Sequence, residues 1–448
     1  MSGMKRNVVL AFAVAAAVAA PGAFATNGYF SHGYGMKGSG MGGVSTAMTR
    51  DTFGGANNPA TMVWVGNGMD IGAAWFNPER SASRSGATDT TMNAGQIDSG
   101  STDFLIPEFG YNHMLNPNMS FGVTVYGNGG MNTDYPGGQL PYGGTCGNGA
   151  GTGFNPVQTA GSTYNILCGS GDLGVDLMQL IIAPTWSYKI NANHSVGVSP
   201  LLAYQRFKAD GIQSFTGFSA DSTKLTNNGY DTSTGAGLRI GWYGRMSDTV
   251  SLGAAYSTKI AMSKFDKYAG LFAEQGDFDI PSNYNLGVAF KVSPTTLLGI
   301  DYQKIKYTDV KSVSNPSTNY AGTTTGSLGP SDGRGFGWGD IDVWKVGVEH
   351  QYSKNLVLRA GIDKSDNPIT SRDVTFNILA PGVVENHYSV GFTLAMDKTT
   401  ELTGAYTYVA ENKVSGSSLF NTWTSDAAGT EEIKMHQNVL GIAWAKKW

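Results

Sequence analysis

The chain has 448 residues, of which 14% are charged against roughly a quarter in ordinary soluble domains, and 62 are glycine, about twice the usual share. A net charge of -4 excludes a nucleic-acid surface built on excess basic residues. Apolar residues, 41% of the total and thinly spread, suit alternating strands better than one large soluble core.

At the amino terminus Lys5 and Arg6 precede an apolar run from Val8 to Ala20. Ala23-Phe24-Ala25 then supplies the small-x-small pattern of an export signal, so residues 1–25 are expected to be a signal peptide and Thr26 the first mature residue. The run is shorter than the roughly 20 apolar residues that span a bilayer as a helix. No other segment is a candidate membrane helix. A glycine-rich stretch without strand alternation, Thr26 to Asn67, follows. It either hangs free or folds into the interior of whatever the strands build.

About fourteen period-2 segments come next, at 68–78, 104–112, 118–128, 174–190, 193–208, 233–247, 249–263, 281–293, 295–307, 341–352, 356–364, 385–397, 399–411 and 436–448. In the clearest of them Tyr284, Leu286, Val288, Phe290 and Val292 share one face, opposite Asn285, Gly287, Ala289, Lys291 and Ser293. Short turns alternate with seven long connections, at 79–103, 129–173, 209–232, 264–280, 308–340, 365–384 and 412–434. That asymmetry is expected of a transmembrane barrel with short periplasmic turns and long extracellular loops, both chain ends being periplasmic. The last strand alternates Leu440, Ile442 and Trp444 and closes on Trp448, an aromatic ending common in outer-membrane barrels. The predicted fold is therefore all-β, a 14-stranded antiparallel transmembrane β-barrel over residues 68–448.

Some motifs carry little. Gly38, Gly40 and Gly43 spell G-x-G-x-x-G, but no strand precedes them and no βαβ unit surrounds them. The six histidines are scattered without zinc spacing, so neither metal nor cofactor is implied. Cys146 and Cys168, the only cysteines, fall in one long exported loop and are expected to form a structural disulfide. No Ser and His pairing suggests a hydrolase.

One register can be derived outright. If Val348 and Leu358 face lipid, a turn centred on Lys354 sets Glu349 opposite Arg359, Gly347 opposite Gly361 and Lys345 opposite Asp363 in the interior. Both charged pairs are then complementary, and a shift of two residues breaks them.

Gly28-Tyr29-Phe30, the glycines from Gly38 to Gly43, Ala47, Asp51 and Asn58-Pro59-Ala60-Thr61-Met62 resemble the amino-terminal hatch of the FadL/TodX family. Those proteins are outer-membrane transporters of long-chain fatty acids and other hydrophobic compounds. Gln205-Arg206-Phe207-Lys208-Ala209-Asp210 and the stretch from Arg359 to Pro368 resemble later segments of the family. The resemblance implies a hatch over residues 26–67, marked by Asn58, Pro59 and Ala60. It also implies ligand capture at the third and fourth extracellular loops, a tighter inner pocket, hatch rearrangement, and lateral release through an opening at a kink in the third strand.

The residues give each element of that scheme two readings. Phe215 and Phe218 in the third loop, with Phe265, Tyr268, Leu271 and Phe272 in the fourth, mark either a binding groove or loop-to-loop packing. Tyr126 and Gly127 mark either a lateral gate or an ordinary strand end. Arg206 matches a family arginine that helps hold a fatty-acid head group in the inner pocket, yet it shares parity with lipid-facing Val196, Val198, Leu202 and Tyr204. The function implied is uptake of hydrophobic small molecules by a monomer in contact with outer-membrane lipid, with no nucleic-acid partner. The alternative is a general aqueous diffusion porin, from which a plugged lumen distinguishes it.

Overall fold

The computed structural model describes residues 27–141, 146, 163–319, 327–424 and 428–448, so the expected signal peptide, residues 1–25, lies outside the described residues. Fourteen long strands form the wall. They are β1 Gly68–Ser85, β2 Phe104–Asn116, β3 Met119–Tyr135, β4 Leu173–Lys189, β5 His194–Asp210, β6 Asp231–Arg245 and β7 Val250–Ser257 in the first half. The second half holds β8 Asn283–Ser293, β9 Thr296–Ile305, β10 Ile341–Gln351, β11 Leu356–Ser365, β12 Asn386–Ala395, β13 Thr400–Ser417 and β14 Thr430–Lys447. Each pairs antiparallel with its neighbours in sequence, and β14 returns to β1 from Gly68↔Lys447 to Ser85↔Thr430, closing the barrel.

Closure gives each of the fourteen wall strands a neighbour on both sides, which is the condition for a sheet to cross a bilayer. Period-2 alternation then separates lipid from lumen: Trp344, Ile362 and Val390 are 57%, 50% and 56% exposed, while Lys345, Asp363 and His387 between them are buried. The expected register of β10 and β11 is observed, with Lys345↔Asp363, Gly347↔Gly361 and Glu349↔Arg359. Arg359 Nε donates to Glu349 Oε2 at 2.7 Å.

All fourteen expected segments exist, but several ends differ. β1, β3 and β13 run on to Ser85, Tyr135 and Ser417, and β14 starts at Thr430, because pairing continues into polar sequence beyond the apolar alternation. The expected strand 249–263 instead stops at Ser257. Its continuation, Ala261–Met262, pairs separately with β6, and Ile260 bridges to Ile280 inside the loop layer.

Candidate functional site

Residues 27–67 lie inside the barrel, and the inward side chains of nearly every part of the wall hold their backbone. Lys345 Nζ donates to His32 O at 2.7 Å, Glu108 accepts from Gly35 N and Met36 N at 3.1 and 3.2 Å, and Asp301 accepts from Ser45 N and Thr46 N, both at 2.8 Å. Arg50 joins the Glu349–Arg359 pair at 3.2 Å, and Lys37 meets Glu401 at 2.5 Å. Asn58 caps the short 3-10 helix Pro59–Trp64 by accepting from Ala60 N, while its amide donates to Thr46 O and Trp242 O, each at 2.9 Å. Wall glycines make this fit possible. A Cβ on Gly241 would lie 2.0 Å from Asn58 Oδ1, and one on Gly129 would lie 1.8 Å from Tyr29 O.

The wall is not uniformly sealed. β2 and β3 pair only from Asn116↔Met119 to Phe109↔Val125, and no pair joins Phe104–Glu108 to the facing part of β3. There β3 carries a bulge between Gly127 and Gly129 and turns inward, so that Phe30 bridges to Gly129 and Gly130 N donates to Tyr29 O at 3.2 Å. Glycines permit the bend and the close approach. Beyond the bulge the wall closes again, where Gly100 N donates to Asp134 O at 2.7 Å. The result is a bounded window between β2 and β3.

Behind the window is a cavity of about 50 Å³ lined mainly by apolar side chains, among them Met36, Ala74, Phe76, Ile106, Tyr126 and Val439. Gly127 and Pro107 stand at its margin, and His32, Tyr34 and Glu108 supply its polar groups. A second cavity of about 40 Å³ lies among the long connections, lined by Phe207, Ile212, Phe215, Leu271, Phe272 and Phe376 with other residues. Since roughly 150 Å³ of apolar cavity accommodates benzene, both are too small to hold one ring at these volumes.

The aromatic residues expected to form an exposed loop groove are brought together but buried. Phe215, Leu271 and Phe272 line the second cavity. Phe265 and Tyr268 instead pack on Phe207, with ring centroids 5.6 and 4.8 Å apart, and Phe218 packs beside Phe215. The loops cover apolar area that would otherwise face water. Cys146 and Cys168 are bonded, with Cα atoms 5.3 Å apart.

Arg206 requires a correction. No bulge intervenes in β5, so alternation keeps it on the outer face with exposed Leu202 while Gln205 and Phe207 point inward. Its guanidinium stacks on Tyr230 at 4.3 Å and meets Asp176 at 3.7 Å. It is not part of an inner pocket. Glu108 and Pro107 were not anticipated, although a proline and a carboxylate inside an otherwise apolar strand were a readable signal of broken pairing.

A closed strand wall with an apolar exterior and an occupied lumen defines an integral membrane β-barrel. Residues 145–445, well over half of the chain, match the family described as outer membrane protein transport protein (OMPP1/FadL/TodX), and the chain belongs to that family. Among solved structures it resembles the toluene transporter TodX of Pseudomonas putida at 17% identity and a TM-score of 0.66, covering 93% of this chain and 99% of that one. It also resembles the Ralstonia pickettii toluene transporter TbuX at 16% and 0.60, covering 93% and 99%, and a Pseudomonas aeruginosa FadL homologue at 14% and 0.64, covering 94% and 99%. At these identities the likeness is one of fold. No curated protein matches the sequence.

Proposed function

We propose that the protein facilitates entry of hydrophobic small molecules through the outer membrane, releasing them sideways into the bilayer. The window between β2 and β3, backed by an apolar cavity, is the observation that carries this reading. An apolar solute that leaves through the wall never enters periplasmic water, where its transfer is unfavourable. Residues 26–67 act as the hatch, and both termini, with the short turns, face the periplasm. Ligand enters among the long connections at Phe215, Leu271 and Phe272, and movement of the hatch joins that cavity to the one behind Tyr126 and Gly127. Asn58, Pro59 and Ala60 fix the hatch at its far end.

No step requires Arg206, because its charge lies outside. Family members transport hydrocarbons, as the toluene transporters named above do, and fatty acids are the other ligand class in question. The test is to tether the hatch with a Ser31→Cys and Asn128→Cys disulfide, since Ser31 N donates to Asn128 O at 3.1 Å. Toluene uptake should fall on oxidation and recover on reduction. Uptake that ignores the tether refutes hatch-gated passage.

A further inference from the structure

A second discontinuity interrupts the wall between β4 and β5. Pairing runs from Gly174↔Asp210 to Ile182↔Leu202, omits three rows, and resumes at Trp186↔Val198 without a change of register. Pro184 therefore stands directly opposite Pro200. Both strands pair normally on their other sides, as Val123↔Pro184 and Pro200↔Leu238. The loss is confined to the seam between the two prolines.

The physical reason follows from antiparallel geometry. A residue points its N–H and C=O toward the same neighbour, and alternate rows exchange both bonds. Three consecutive missing rows are what results when two prolines share a bonded row, since neither has an N–H to give. Their carbonyls then face each other across the seam without a ladder donor. Proline is normally confined to edge strands or bulges, and an unpaired backbone group in the bilayer costs several kcal/mol. Pro200 is exposed on the outer face, and Leu202 and Trp186 on either side are 50% and 51% exposed, so the seam fronts lipid.

What crosses the seam lies on its inner side. Thr185 Oγ1 and Ser199 Oγ are 2.8 Å apart. Just beyond, Ala60 O accepts from Ser187 Oγ on β4 at 3.1 Å and from Ser195 Oγ on β5 at 2.7 Å, so one carbonyl of the inner segment ties the two strands together. Gly55 rests against the same place, where a Cβ would come within 2.7 Å of Thr185 Oγ1. Arg239 Nη1 holds Gly55 O at 2.8 Å.

We propose that the β4–β5 seam is a second lateral passage in the barrel wall, taken by small uncharged aromatic molecules once the segment from Gly55 to Ala60 withdraws. Three unpaired rows span roughly 10 Å of strand, and parting them breaks no ladder bond. The seam presents two carbonyl oxygens, two hydroxyls and the apolar Ala183 and Leu201, a lining that suits an uncharged ring and opposes a carboxylate. This passage rests on the hydrophobic-uptake reading above and adds a route separate from the β2–β3 window.

The experiment measures toluene uptake by vesicles carrying the full chain with added cysteine pairs. Ala183→Cys with Leu201→Cys bridges the seam itself, and Tyr188→Cys with Val196→Cys bridges an intact row of the same strands. A gel shift between folded and heat-denatured barrel confirms folding, and wild type treated with reductant controls for the native disulfide. Oxidation should lower uptake several-fold in the seam pair, reversibly, and leave the intact-row pair unchanged. The Pro184→Val and Pro200→Val double variant, which restores both N–H groups, should also lower it. Equal uptake oxidised and reduced in the seam pair overturns the proposal, as does an equal fall in both cysteine pairs. Wild-type vesicles no faster than protein-free ones would overturn the transport reading itself, and the seam passage with it.

Discussion

Gly129→Ala is the smallest change that addresses how residues 27–67 dock against the wall. The new Cβ would sit 1.8 Å from Tyr29 O and 2.8 Å from Tyr29 C. Tyr29 must retreat by at least about 1.5 Å to regain ordinary contact. Its retreat breaks the bond from Gly130 N to Tyr29 O, worth about 1 kcal/mol, and residual overpacking adds about 1–3 kcal/mol. The wall itself is spared, because Gly129 keeps its pairing with Gln179 on β4. A bias of about 2–4 kcal/mol against the docked segment raises its undocked population on the order of 10²-fold. Trypsin reads this directly. Lys37 is buried and Arg50 mostly so, and both become cleavable when the segment leaves. Mass spectrometry of a timed digest should show cleavage after Lys37 and Arg50 much faster than in wild type, with rising ion conductance in planar bilayers. Wild-type cleavage and conductance would refute the idea that this contact holds the segment in place.

Asn58→Ala removes the helix cap and two amide bonds, so it should loosen the far end of the segment by about 2–3 kcal/mol, with cleavage after Arg50 rising before cleavage after Lys37. Removing both cysteines should weaken the second long loop by about 3 kcal/mol, from the closure entropy of a bond spanning 22 residues; faster amide exchange confined to that loop checks it. Burial, then Asp279 and Glu274, push the Asp277 carboxyl up to about 6. A carboxyl with a raised folded value destabilises its surroundings when charged, so protection of the loop around 264–280 should increase as pH falls through 6 and diminish above it. Protection factors in that loop, exchange rates divided by the intrinsic rate at each pH, that do not change between pH 7 and 5 would contradict this.

The wall was legible because a barrel strand buried on one side only must alternate, as Tyr388, Val390, Phe392 and Leu394 do. The Lys345–Asp363 and Glu349–Arg359 rungs were legible too, since charge complementarity selects one register. Strand ends were not. Glu79 to Ser85 and Thr430 to Met435 continue to pair in polar sequence where alternation carries little hydrophobic contrast. Arg206 shows the opposite failure, for parity alone placed it outside and only the family comparison suggested the lumen. The β2–β3 window depends on a bulge beside Asn128, and a bulge shifts register without marking the sequence beyond its glycines. The burial of Phe265 and Tyr268 depends on Phe207, a partner distant in sequence that no local pattern names.

Uptake by cells lacking their own hydrophobic-compound transporters, with and without this chain, tests the central claim most directly. Toluene, a long-chain fatty acid and a small hydrophilic sugar are compared in one assay. Faster entry of at least one hydrophobic compound, with sugar entry unchanged, is the predicted result. Faster sugar entry with no gain for either hydrophobic compound would instead mark an aqueous pore and contradict the account.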